Sequence, residues 1–216
     1  MTDRTAAVYT ETGKRRVFAC AVDWPGWCRA GKTEELALAS LAEVAQRYQT
    51  VVAEAGLDLP GSEFKVVERL AGTGTTDFGA PDAKASSDWR PMKAAEGSRL
   101  AKLVRASWAV LHRAAARAPA KLPKGPRGGG RDRDPLLEHV LAAEAAYARQ
   151  VGIRLKAPAL DDRLAIEALR DAISEFLSQP WRRPRGNDRS WPPRYAARRI
   201  AWHVLDHAWE LEDKSK

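Results

Sequence analysis

Two histidines near the C-terminus, His203 and His207 in RRIAWHVLDHAWELED, are four residues apart. In a helix that spacing puts both imidazoles on one face about one turn apart, which is how a protein brings two nitrogen ligands to a single transition-metal ion. The chain has four histidines, and a third, His139, lies early in another amphipathic stretch, DPLLEHVLAAEAAYAR. Three imidazoles from two facing helices leave coordination positions open for water or substrate, as in a catalytic rather than a structural site. Imidazole-only ligation suits several divalent ions, Zn²⁺ and Ni²⁺ among them, and such an ion acidifies a bound water or thiol near neutral pH. Glu210 follows three residues after His207 and seven after His203, a candidate for proton transfer or for orienting a ligand. The competing explanation is chance spacing on a polar face. Against it, Ile200, His203, His207 and Leu211 succeed one another by threes and fours, and Leu136, His139, Val140 and Ala143 share a face. The histidines therefore point inward, where three separate imidazoles are hard to satisfy and one shared ion satisfies them together.

Arginine-rich segments precede both histidine-bearing stretches. KLPKGPRGGGRDRDP (121–135) contains Gly128–Gly130, but no Gly-Lys-Ser/Thr follows and no strand precedes, so it is not a P-loop. WRRPRGNDRSWPPRYAARR (181–199) leads into the last helix. In an up-down-up-down bundle these two connections lie at the same end. Arg127, Arg131, Arg183, Arg185 and Arg189 would then form a positive mouth for a small anionic ligand. Interleaved Trp181 and Trp191 also permit nucleic-acid binding, guanidinium to phosphate and indole to base. The third alternative is a solvated surface with tryptophans packing the bundle end.

The elements that must position these residues follow from pattern. The 216-residue chain is 44% hydrophobic and carries a net charge of +8, enough for real cores and suggestive of an anionic partner. No stretch approaches the roughly 20 apolar residues of a membrane span, and the first residues lack the apolar core of a signal peptide, so a cytoplasmic protein is expected. Cys20 and Cys28, the only cysteines, are not in a Cys-x-x-Cys arrangement. Residues 6–10 and 15–23 read as strands around a Thr12-Gly13-Lys14 turn, and Cys28–Lys32 as a short third strand. Thr33 caps a helix carrying Glu34 and Glu35 in its first turn and an apolar stripe of Leu36, Ala37, Leu41, Val44, Ala45 and Tyr48. Residues 64–70, FKVVERL, form a last strand. Residues 71–94 read as a connection. Four helices follow, at about 97–118, 134–150, 161–178 and from after Trp191-Pro192-Pro193 toward Glu212; the third has a stripe of Leu164, Ile166, Leu169, Ile173 and Leu177. The expected class is α+β with two domains: a β-β-β-α-β unit over 1–70, a linker over 71–94, and an up-down-up-down four-helix bundle over 95–216.

Two families are recognisable in these residues. VFACAVDWPGWCRAGKTEELALASLAEVAQRY resembles the small HicB-like antitoxin domain through Asp23, Pro25, Gly26, Gly31, Thr33, Glu35 and Ala37. That resemblance covers about residues 5–70 and implies binding to a small RNA-cleaving toxin, usually with a DNA-reading segment behind. No helix-turn-helix or ribbon-type reader follows here, so the module is expected to serve interaction. Residues 95–213 resemble the DinB/YfiT-like four-helix bundles, which place one histidine on the second helix and a His-x-x-x-His pair on the last. Here these are His139, His203 and His207. The resemblance implies one metal held by three histidines and includes thiol-dependent transferases and isomerases that use low-molecular-weight thiols. The functional expectation is a metal-dependent transferase, isomerase or related hydrolase taking a small anionic or thiol ligand. The alternative is a non-enzymatic binding or regulatory protein contacting a protein partner or nucleic acid.

Overall fold

The computed structural model describes residues 5–59, 61, 63–124, 130–184 and 190–215. The β-branched and aromatic front half forms strands β1 (Thr5–Thr12), β2 (Val17–Ala21) and β3 (Cys28–Gly31). β1–β2 is a hairpin whose turn is closed by the Gly13 N–H donating to the Arg16 carbonyl at 2.9 Å, and β3 continues the antiparallel order. Helix α1 (Glu34–Glu43) begins as its sequence implies, with the Thr33 hydroxyl accepting from the Leu36 N–H at 3.3 Å and Glu34 and Glu35 in the first turn. The single helix expected here is two: Val44, at φ −91° and ψ 4°, interrupts it before α2 (Ala45–Glu54). β4 (Glu63–Ala71) then lies parallel to β1, giving the sheet order β3-β2-β1-β4. A parallel neighbour requires a crossover, and α1 and α2 supply it. Ala37, Leu41 and Tyr48 are buried, whereas Leu36 is exposed, being one residue and roughly 100° around the helix from Ala37.

Segment 71–94, expected as a connection, is packed in place by polar contacts. It contains α3 (Gly74–Phe78) and a 3-10 turn at Ser86–Trp89. The buried Glu11 carboxylate of β1 accepts from the Asp82 and Ala83 N–H groups at 2.9 Å each and from the Thr76 hydroxyl. Asp88, fully buried, accepts from the Ala85 N–H at 2.8 Å and pairs with Arg198 of the last helix. Met92 and Trp181 exchange backbone hydrogen bonds at 2.8 and 2.9 Å. One apolar cluster runs from Val8, Trp27, Leu41 and Tyr48 into Leu103, Val104, Ile200, Val204 and Leu211, so the expected two-domain division does not appear as a break in the core.

The four expected long helices are present as α4 (Ala94–Arg117), α5 (Arg133–Arg149), α6 (Arg163–Ser178) and α7 (Pro193–Lys214). Their up-down-up-down order is corrected. Arg194 near the start of α7 pairs with Glu96 near the start of α4, while Glu212 shares a groove with Val110 and Ala114, so α4 and α7 are parallel. Gly97 abuts the Leu177 carbonyl, a contact no Cβ would permit, and Arg105 pairs with Asp171 at 2.6 Å; α6 is therefore antiparallel to α4. His139 meets His207 whereas Tyr147 meets Trp191, so α5 is antiparallel to α7. The order is up-down-down-up. Its cause is the connection after α5, where Ala157–Asp161 returns alongside Glu138 and starts α6 beside the start of α5. On α6, Leu169, Ile173 and Leu177 are buried but Leu164 is exposed, since it lies five residues and roughly 140° from Leu169.

This order also separates the two arginine-rich connections. Arg133 at the start of α5 donates to the Ala118 carbonyl at 3.2 Å, at one end of the bundle. The Trp191 N–H donates to the Gln150 carbonyl at 2.9 Å, at the other. The shared positive mouth expected from both loops is thereby overturned for the described residues.

Candidate metal centre

α5 and α7 bring the three predicted histidines to one point. His139 leaves the second turn of α5; His203 and His207 leave successive turns of α7, where Ile200, Val204 and Leu211 hold the same helix in the core. Nε2 of His203 lies 3.2 Å from Nε2 of His139. One ligand atom from each of the three rings falls within 4.8 Å of the others. Two nitrogens bound to one tetrahedral ion at about 2.0–2.1 Å stand about 3.3 Å apart, so the first pair is already at ligand separation. The rings meet nearly edge to face, His203 and His207 at 4.7 Å and His139 and His207 at 5.1 Å between centroids.

The protonation states suit a cation. His203 is buried; that burial, with the His207 and His139 rings and then the Arg199 and Arg131 charges, pushes its pKa down to about 2. It stays neutral, the form in which imidazole is a ligand. His139 is lowered as well, by burial first and then by Arg131 and His207. Glu210 lies 2.9 Å from Nδ1 of His207 and accepts from Lys214 Nζ at 2.5 Å. The His207 hydrogen bond foremost, then Lys214, hold its carboxyl at about 2 despite partial burial. A carboxylate there fixes the His207 proton on Nδ1 and leaves the Nε2 lone pair free to act as a ligand.

Between two neutral imidazoles facing through Nε2, one must donate, and His203 Nδ1 has no hydrogen-bond partner in either tautomer. A buried polar atom left unpaired costs about 1–3 kcal/mol. His139, His203 and His207 would each offer an ion one ring-nitrogen lone pair, and Nδ1 of His203 is unpartnered among the described residues with or without it. The donor set therefore fits a divalent transition metal with an open position.

Of the five arginines expected to serve an anion, Arg127, Arg185 and Arg189 lie outside the described residues. Arg131 is near enough to lower the proton affinity of His139 and His203. Arg183 is elsewhere, its guanidinium 4.5 Å over the Trp89 ring. Trp181 packs beside Trp89 at 6.5 Å, and Trp191 sits between Tyr147 at 5.5 Å and Tyr195 at 4.8 Å, both half-buried against the core. Sequence reasoning missed Tyr147, whose ring lies 5.8 Å from His203, and Arg199, which stacks over Tyr147 and Trp202 while donating to the Pro81 carbonyl at 2.7 Å. The signal for Arg199 was its place one turn before His203. Among the described residues no helix is long and apolar enough to cross a membrane. No family model, curated protein or solved structure matches the chain.

Proposed function

We propose that this protein is a metal-dependent enzyme of DinB-like type, in which His139, His203 and His207 hold a divalent transition ion, zinc or nickel. The observation that carries this is the convergence of three imidazoles from two helices on one point, two of them already 3.2 Å apart. When bound, the ion supplies a Lewis acid that acidifies a water or thiol. The chain does the rest. Glu210 keeps the His207 ring in register, with Lys214 holding the carboxylate ionised. Arg131 and Arg199 bring positive charge to the histidines, which favours an anionic substrate or a thiol in its thiolate form. Tyr147 and Trp202 flank His203 with ring surface that limits water, and Trp191 packs against Tyr147. This supports a transferase, isomerase or related hydrolase acting on a small thiol or anionic compound, with the HicB-like sheet as an interaction module.

The test is metal analysis of protein purified without a histidine tag. The expected result is close to one equivalent of ion, falling several-fold in His203→Ala and His207→Ala while His112→Ala keeps it. Less than about a tenth of an equivalent, with no uptake of added Zn²⁺ or Ni²⁺, would remove the metal from the account. A panel of low-molecular-weight thiols with electrophilic acceptors, run on metal-loaded protein, then identifies the reaction.

A further inference from the structure

Cys20 and Cys28, which the metal reading does not use, stand directly opposite each other on β2 and β3. The neighbouring Ala21 N–H donates to the Trp27 carbonyl at 2.9 Å, so Cys20 and Cys28 occupy a non-hydrogen-bonded position of the antiparallel ladder. Facing Cα atoms there are about 4.5 Å apart, at the short end of the range a disulfide spans. The Sγ atoms are 2.8 Å apart. Bonded sulfurs stand about 2.0 Å apart, so bond formation needs under about 1 Å of closure and no shift of strand pairing. These are the only cysteines of the chain, so no third thiol competes within it.

We propose that Cys20 and Cys28 are an oxidation site at which a peroxide closes a cross-strand disulfide. One cysteine thiolate attacks a peroxide oxygen, the O–O bond breaks, and the departing hydroxide is protonated to water, leaving a sulfenic acid. The second thiol sulfur attacks that sulfenic sulfur; the S–S bond forms as the S–O bond breaks and the oxygen leaves as a second water. Two thiols and one hydrogen peroxide thus give one disulfide and two waters, the sulfurs losing two electrons and the peroxide gaining them. Both thiols are buried, at 2% and 4% exposure, and burial followed by the Cys20 contact pushes the Cys28 thiol well up. Oxidation is therefore gated by opening of β3, a four-residue strand at the sheet edge.

The bond would clamp the segment that seats the sheet on α7. Gly26, at φ +90° between the two strands, lies against Ala201 and Leu205 so closely that a Cβ there would collide with the Leu205 side chain. On β3, Arg29 stacks 4.0 Å from the Trp209 ring centre and pairs with Asp206 at 3.4 Å. Oxidation ties these contacts down beneath the helix that carries His203 and His207, and the inference stands whether or not those histidines hold an ion.

The experiment treats reduced, tag-free full-length protein with hydrogen peroxide, quenches with acid, and alkylates after denaturation. Mass spectrometry should show a Cys20–Cys28 linked peptide lighter by two hydrogens and no alkylated cysteine, with dithiothreitol restoring both thiols. The thermal midpoint should rise by about 5 °C on oxidation, and by nothing in Cys28→Ala. Two alkylated cysteines in the folded protein, at a peroxide dose that oxidises the urea-unfolded chain, would overturn the proposal. So would disulfides between chains only. The wild-type mass readout does not depend on the variant folding.

Discussion

The Glu210 carboxylate lies 2.9 Å from Nδ1 of His207, one turn along the same helix, and its other oxygen is held by Lys214. A carboxylate in that place fixes the tautomer and orientation of the ring and raises its strength as a donor. Glu210→Gln should weaken metal binding by about 10- to 100-fold, and Lys214→Ala by less, because the His207 contact survives it. Competition against a chromophoric chelator measures both. Wild-type affinity in Glu210→Gln would take Glu210 out of the site.

Acid should destabilise the metal-free protein through the same cluster. A histidine in the unfolded chain titrates near 6.5, and His203 in the fold at about 2. Between those values the unfolded chain carries a proton that the fold excludes. Stability from this group is thus complete above pH 6.5 and declines as pH falls through the window, by about 1 kcal/mol per pH unit. His139 shifts in the same direction. Urea unfolding in a chelating buffer at several pH values should show that slope reduced in His203→Phe. An identical slope in the variant would locate the acid sensitivity elsewhere.

The two described arginines of the expected mouth are separable. Arg131 acts on His139 and His203, while Arg183 stacks on Trp89 by the other connection. Arg131→Ser should weaken azide binding to the cobalt-loaded protein by about two- to five-fold at low salt, the difference fading near 0.5 M salt. Arg183→Ser should leave it unchanged. Equal loss in both variants, read from the visible spectrum, would restore a shared mouth.

Asp88 and Arg198 form a buried pair between the 3-10 turn and α7, with the guanidinium 4.9 Å over the Tyr9 ring. Asp88→Ala leaves that charge unpaired in the interior and should cost about 3–5 kcal/mol. Asp171→Ala, which removes an exposed partner of Arg105, should cost less than about 1 kcal/mol. Denaturant midpoints of the two variants check the contrast, and similar losses would contradict the burial argument.

Features set by local chemistry were legible in the sequence. The Thr33 cap, the inward histidines of α5 and α7, and the stripe Leu169, Ile173 and Leu177 all follow from spacing. What escaped depends on partners distant in the chain. Periodicity says which face of α5 is buried, not that residues 157–161 return along it and reverse the direction of α6. Glu11 gave no sign of holding Thr76, Asp82 and Ala83, because a polar latch has no period, and so an ordered segment looked like a linker. The break at Val44 sits inside an unbroken apolar pattern, where backbone geometry alone marks it.

The most direct measurement of the central claim is X-ray absorption at the zinc edge of protein loaded with one equivalent of Zn²⁺. Three imidazole nitrogens and one further light atom at about 2.0–2.1 Å are expected, the imidazole count dropping in His203→Ala. A sulfur shell, fewer than two imidazoles, or the same spectrum in wild type and His203→Ala would contradict it.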